Sequence, residues 1–301
     1  MPSLCDIQIR DPFIFREGND YYLFGSTDKD IWKLPGVGFD VYRSTGSLTE
    51  FDGPYPAFRP PVGFWSTYNF WAPEVYAYGG RYYMFATFKP DSGRRGTAVL
   101  RSDSPLGPFL PWSDGPVTPA DWECLDGTLY VDGSGSPWMV FCHEWQQVGD
   151  GQVCALPLTD DLKAPAGDAR LLFSASEAPW AKPLAGRAPG SFVTDGPNMY
   201  TAQNGTLLML WSSFGADGNY CIGVAASQSK TIDGPWTQVE TPLYMADGGH
   251  GMLFNAQDGK LYLAIHTPNR TPAERAIFIE INDHDGVLSL SGDVVSEGKG
   301  N

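Results

Sequence analysis

The stretch FVTDGPNMYTAQNGTLLMLWSSF, residues 192–214, holds two short apolar runs around Asn204-Gly205, the strongest short-range hairpin signal. A carboxylate, Asp195, stands ahead of the first run and is followed by Gly196 and Pro197. The chain repeats this layout. It recurs as DPFIFREGNDYYLFGST from Asp11, APEVYAYGGRYYMFATF from Ala72, DGTLYVDGSGSPWMVFCHEW from Asp126 and HGMLFNAQDGKLYLAIHTP from His250. Each unit has an anchor residue, an apolar strand, a glycine-bearing turn and a second apolar strand, at a spacing that suits a four-stranded sheet with its loops.

The sequence between the hairpins supports the same reading. VYRSTGSLTEFDGPY, AVLRSDSPLGPFLPW and IGVAASQSKTIDGPW are three versions of a strand, a serine-rich turn and a Gly-Pro-aromatic ending. No long 3.6-residue amphipathic pattern with capping signals occurs, and 35 Gly and 25 Pro argue against helices. The expected fold is therefore all-β: one five-bladed β-propeller domain over residues 1–301, with four antiparallel strands per blade.

Radial repetition gives the anchors a meaning. The first strand of each blade lines the central channel, so Asp11, Asp126, Asp195 and His250 should meet at one rim of a funnel. Blade 2 departs from the pattern, with Ala72 at the anchor and Glu74 two residues on; Glu74 and His250 are candidate substrate contacts. The returning strand of blade 3 ends in FCHEW, which brings Glu144 to the same rim; its blade 4 counterpart is Ser213. Carboxylates crowded into a small, partly dry funnel cannot all ionise, so their pKa values separate. One then serves as a base and another keeps a proton as an acid, the division of labour that glycosidic cleavage requires. Opposite sides of a funnel suit the ~6.5–9.5 Å separation of an inverting pair.

Aromatics make up 14% of the chain, and flat apolar sugar faces stack on such rings. Phe13, Trp65, Trp71 and Trp145 flank the anchor segments and are the candidate sugar platform, each equally suited to core packing. His143 and His266 end strands on the same rim and read as hydrogen-bonded structural residues. Funnel oxygens also suit calcium near the axis, with His250 as the candidate nitrogen ligand, although no dense aspartate loop marks a dedicated site. No cofactor is required for the chemistry.

The IRDPFIF, WAPEVYAYGGRYYMF, DGTLYVDGSGSPWMV, DGPNMYTAQNGTLLMLWSSF, SKTIDGPW and GGHGMLF segments together resemble glycoside hydrolase family 43 over nearly the whole chain. The resemblance implies a five-bladed propeller that hydrolyses α-L-arabinofuranosides or β-D-xylosides with inversion. It implies that Asp11 is the general base and that Asp126 raises the pKa of the acid. The family acid is a glutamate in a Glu-Gly-Pro motif, and Asp195 stands at that place, one methylene shorter. Three readings follow: Asp195 is the acid on a shifted backbone, Glu144 has taken the role, or the propeller binds sugar without cleaving it. His250 matches a histidine near a central metal or water cluster.

A β-fructosidase relative is a further alternative, but its upstream Asp-Pro-Asn motif is missing; a galactose-type specificity is another. Net charge is −15 with no run of Lys or Arg, which disfavours nucleic acid. No apolar stretch approaches the ~18 residues of a membrane span. Five cysteines without CxxC spacing read as reduced thiols, and the start lacks a leader pattern. The sequence reading is thus a cytoplasmic, exo-acting enzyme working on short plant-derived oligosaccharides.

Overall fold

The computed structural model describes residues 1–296; the last five residues of the expected domain lie outside them. Its strands form five four-stranded antiparallel sheets, each taking its strands in chain order. The inner strands are Arg10–Glu17, Tyr68–Tyr78, Cys124–Val131, Asp195–Thr201 and Gly249–Asn255. Each packs against the inner strand of the next blade, and the fifth returns to the first, so the ring closes. The all-β propeller follows as expected.

The second strand of a blade reads as a continuous apolar run because both of its faces are buried. In Leu207–Phe214, Met209 and Trp211 pack toward blade 3 while Leu210 packs toward blade 5. Met139 and Phe141 face blade 2 in the same way, and Val140 and Cys142 face blade 4. Alternation survives, but both alternatives are core. The N-terminal segment ties the ring shut: Gln8 pairs with Arg275 of blade 5, and Ser3 pairs with Glu50 of blade 1.

The opening of every inner strand shares one distortion. Its pairing register slips there, and a residue at the equivalent place adopts the left-handed conformation: Asp11 (φ 53°), Ala72 (46°, with Asn69 before it also left-handed), Asp126 (56°), Gly196 (53°) and His250 (50°). This bulge turns the backbone N–H sideways, into the preceding blade. Ser26 Oγ accepts from Ala72 (2.9 Å), Thr87 Oγ1 from Asp126 (2.8 Å), Ser212 Oγ from His250 (2.9 Å) and His266 Nδ1 from Asp11 (3.1 Å). At the fifth junction the matching residue is Cys142, a weak acceptor, and the Gly196 N–H goes instead to Asp126 Oδ2 at 3.1 Å.

This corrects the alignment of the repeats. Asp195 is not the equivalent of Asp11 and Asp126; Gly196 is. By pairing register Asp195 matches Arg10, Trp71, Leu125 and Gly249, whose partners are Ser26, Thr87, Cys142 and His266. A side chain at 196 is excluded twice over. The φ is positive, and a Cβ would meet the His250 ring at 2.7 Å.

Candidate active site

A cavity of about 510 Å³ opens over the ring of bulges. Asp11, Asp126, Asp195, Glu144, His250, Trp71 and Trp145 all line it. The left-handed bulges aim Asp11 and Asp126 inward, and the one-residue offset sets Asp195 on the wall contributed by blade 4.

Asp11 is buried, which works against its charge. The His250 imidazole 3.2 Å away, the Arg10 guanidinium and a 2.7 Å hydrogen bond from Ser26 Oγ overcome that and hold its carboxyl below the usual range. His266 adds no charge. Its Nδ1 already accepts the Asp11 N–H, which puts its proton on Nε2 facing Asn269 Oδ1 at 3.3 Å, and burial lowers its pKa to about 3. The close Asp11–His266 approach is therefore a neutral contact, not an ion pair. Asn269 also takes a 2.6 Å hydrogen bond from Arg10.

Asp126 and Asp195 shift the other way. Burial, then the like charges of Asp195 and Asp11, push Asp126 well above a normal carboxylate. Burial, then Glu144, raise Asp195 to about 6, against the opposing effects of His250 and a 2.9 Å hydrogen bond from the Tyr220 hydroxyl. Glu144 is raised by burial but answered by Arg95, whose Nη2 stands 3.0 Å from Glu144 Oε2. Both partners are nearly inaccessible, and Arg95 also lies over Trp71 at 5.1 Å.

Three expected contacts do not reach the cavity. Phe13 points between blades 1 and 2, edge-on to Tyr76 at 5.2 Å, because the bulge ends before it and normal alternation carries its ring into the core. Trp65 packs against Phe64 and Phe88 instead. Glu74 is buried with its carboxylate on the Tyr76 hydroxyl, which is itself 2.7 Å from Thr128 Oγ1; burial raises its pKa to about 7. His143 stacks on Trp122 at 4.2 Å and bonds Gln147 and Gln152, away from the carboxylates. The calcium expectation finds no support, since no group of three or more His, Cys, Asp and Glu is arranged for a metal among the described residues. His250 turns Nδ1 toward Asp11 and, at 3.7 Å, Asp126.

The profile of Glycosyl hydrolases family 43 matches residues 5–285. The chain belongs to this family. Family 43 enzymes are inverting glycoside hydrolases of arabinose- and xylose-containing polysaccharides, so the binding-only and β-fructosidase readings fall away. A solved endo-arabinase from Bacteroides thetaiotaomicron VPI-5482 is 40% identical, with a TM-score of 0.88 over 94% of this chain and 98% of that one. The extracellular exo-alpha-(1->5)-L-arabinofuranosidase ArbA of Cellvibrio japonicus is 23% identical across 86% of this chain and 79% of its own length. The extracellular endo-alpha-(1->5)-L-arabinanase 1 of Bacillus subtilis is 25% identical across 83% and 73%.

These relatives contradict the cytoplasmic expectation, because both curated enzymes are named extracellular. The unpaired cysteines on which it leaned do not report a compartment. Cys124, Cys142, Cys154 and Cys221 are buried, and a buried thiol stays inert in any redox environment.

Several cavity residues carried no sequence signal. Arg95 sits in SGRRGTAV and Tyr220 follows GADGN, both of which read as exposed turns. Arg10 and Asn269 stand close to the more conspicuous Asp11 and His266 and have no motif of their own. Trp32 lies in a loop outside the repeated hairpins.

Proposed function

We propose that the chain acts as one catalytic unit that hydrolyses α-L-arabinofuranosyl linkages of arabinan-type chains. Asp11 is the general base, Asp126 the tuning carboxylate and Asp195 the general acid. One observation carries the assignment: two carboxylates in one cavity with opposite pKa shifts, Asp11 lowered and Asp195 raised to about 6. Near pH 5 the first is ionised and the second protonated, which is the pairing that single displacement needs.

Asp11 draws a proton from a water on one face of the sugar as that water attacks the anomeric carbon. Asp195 donates its proton to the departing glycosidic oxygen on the other face. Asp195 Oδ2 is held by Tyr220, and Oδ1 has no hydrogen-bond partner among the described residues, leaving it for the substrate. Glu144 suits the acid role less well, because Arg95 commits its Oε2 to an ion pair. Asp126 keeps its place through the Gly196 N–H, and the charge of Asp195 beside it is among the causes that raise its own pKa. With Asp195 one methylene shorter than the family glutamate, the backbone offset at Gly196 is what sets its reach.

The similarity to an endo-arabinase over nearly the full length of both chains supports arabinan over xylan. The test is hydrolysis of linear arabino- and xylo-oligosaccharides, with the first-formed anomer followed by proton NMR. Arabino-oligosaccharides should be cleaved with inversion, and Asp11→Asn should reduce turnover by two to four orders of magnitude, about the range of general-base catalysis. Cleavage of the xylose series alone, or retention of configuration, refutes the proposal.

A further inference from the structure

We propose that Trp32 forms a sugar-binding platform on the side of the cavity away from the general acid, so that the enzyme holds at least one sugar beyond the one it cleaves and cuts within chains. The inference rests on the reading of Asp195 as acid and of arabinan as substrate.

Trp32 is half exposed, yet its indole is fixed. Nε1 donates to Thr271 Oγ1 at 3.1 Å, the ring meets Trp71 edge-on at 5.1 Å, and the Arg10 guanidinium lies over it at 5.2 Å. Its loop is set by Asp30 Oδ1, which accepts the backbone N–H groups of Trp32 (3.0 Å) and Lys33 (3.1 Å). The preceding Ile31 is buried, and its carbonyl takes the Trp71 indole N–H at 2.8 Å. A large ring left open to the cavity but immobilised by contacts from blades 1, 2 and 5 is pre-organised for a flat ligand, which loses little further entropy on binding.

Position gives the direction. Trp32 rises over blade 1 and touches blades 2 and 5, so it stands across the axis from blades 3 and 4. The leaving group must sit beside Asp195 on blade 4, on the side of the cavity next to blade 3, whose Trp145 also lines it. A chain that crosses the carboxylates therefore has its leaving portion toward blades 3 and 4 and its retained portion toward Trp32. A strictly exo-acting site needs no platform there, and the sequence-based expectation of exo action gives way to internal cleavage in this proposal.

The test compares native protein, Trp32→Ala and Trp32→Tyr on linear α-1,5-arabino-oligosaccharides of two to six units carrying a reducing-end label, with circular dichroism melts to establish folding. In the native protein kcat/KM should rise with length, and labelled products should show cuts two or more sugars from the unlabelled end. Trp32→Ala should lose roughly tenfold on the longest members and under about twofold on the shortest one cleaved, while Trp32→Tyr keeps most of the length dependence. Equal loss at all lengths, no loss at any length, or native release of single terminal sugars overturns the platform while leaving the hydrolase reading intact. A native protein inert on the whole series overturns both.

Discussion

The acid assignment makes a quantitative demand on pH dependence. Asp195 must be protonated in the free enzyme, and its pKa lies near 6 because burial and the neighbouring Glu144 oppose its charge. With that value roughly nine-tenths of the molecules carry the proton at pH 5 and roughly one-tenth at pH 7. Since kcat/KM follows the free enzyme, it should fall about tenfold between pH 5 and 7 and about tenfold again by pH 8. The acidic limb belongs to Asp11, whose lowered pKa places it below pH 3.8. The assay is kcat/KM across pH 3–8 on an arabino-oligosaccharide, in native protein, Asp195→Asn and Glu144→Gln. Asp195→Asn should lose two to four orders of magnitude at pH 5 and lose the alkaline limb, about the contribution of general acid catalysis. A dinitrophenyl arabinobioside, whose leaving group needs no proton, should restore most of its rate. Glu144→Gln should keep an alkaline limb, moved to lower pH because a like charge has gone. If Glu144→Gln loses the limb and Asp195→Asn retains it, the roles are reversed and the reasoning from the Arg95 pair is wrong.

Three further outcomes follow from the same geometry. Asp195 has its folded-state pKa raised from 3.8 to about 6, so its ionisation penalises the fold as pH climbs through that window and not below it. Asp195→Asn should therefore be more stable than native by up to ~3 kcal/mol at pH 8 and equal to it near pH 3.5, read from denaturant unfolding; a less stable variant at pH 8 refutes the shift. Ser26→Ala removes a donor to Asp11 and the acceptor of the Ala72 N–H. It should move the acidic limb to higher pH and destabilise by ~1–3 kcal/mol; an unmoved limb would show that His250 and Arg10 alone hold Asp11 ionised. Gly196→Ala should destabilise by several kcal/mol and abolish activity, because its Cβ would displace the His250 ring, and retained turnover would contradict the packing at that bulge.

How far the sequence reaches is seen best at residues 195 and 196. The repeated hairpins made the propeller legible, because a strand run closed by Gly-containing turns is a local pattern, and five copies leave little choice of architecture. The convergence of Asp11, Asp126 and His250 follows from that symmetry alone. The offset of Asp195 does not. Asp-Gly-Pro looks like a variant of Asp-Gly at 126 and Asp-Pro at 11, and only the pairing of Asp195 with Ser212 shows that Gly196 occupies the left-handed position. That slip takes one carboxylate out of the axial set and places it on a wall, where Tyr220 can hold it and Asp126 takes the Gly196 N–H. The sequence has no local mark for that last contact, because its cause lies one blade away: Cys142 stands where the other junctions have Ser26, Thr87, Ser212 or His266, and offers the Gly196 N–H no strong acceptor. The junction that lacks its ordinary hydrogen bond is thus the one that couples Asp126 to the backbone beside Asp195. Restoring an acceptor with Cys142→Ser should draw the Gly196 N–H from Asp126 and raise the Asp126 pKa further, since that N–H favours the charged carboxylate. Because the charges of Asp126 and Asp195 act on each other, the expected reading is an alkaline limb displaced from near pH 6 with the fold intact. An unchanged profile would mean that the break in the ring at blade 3 has no bearing on the acid.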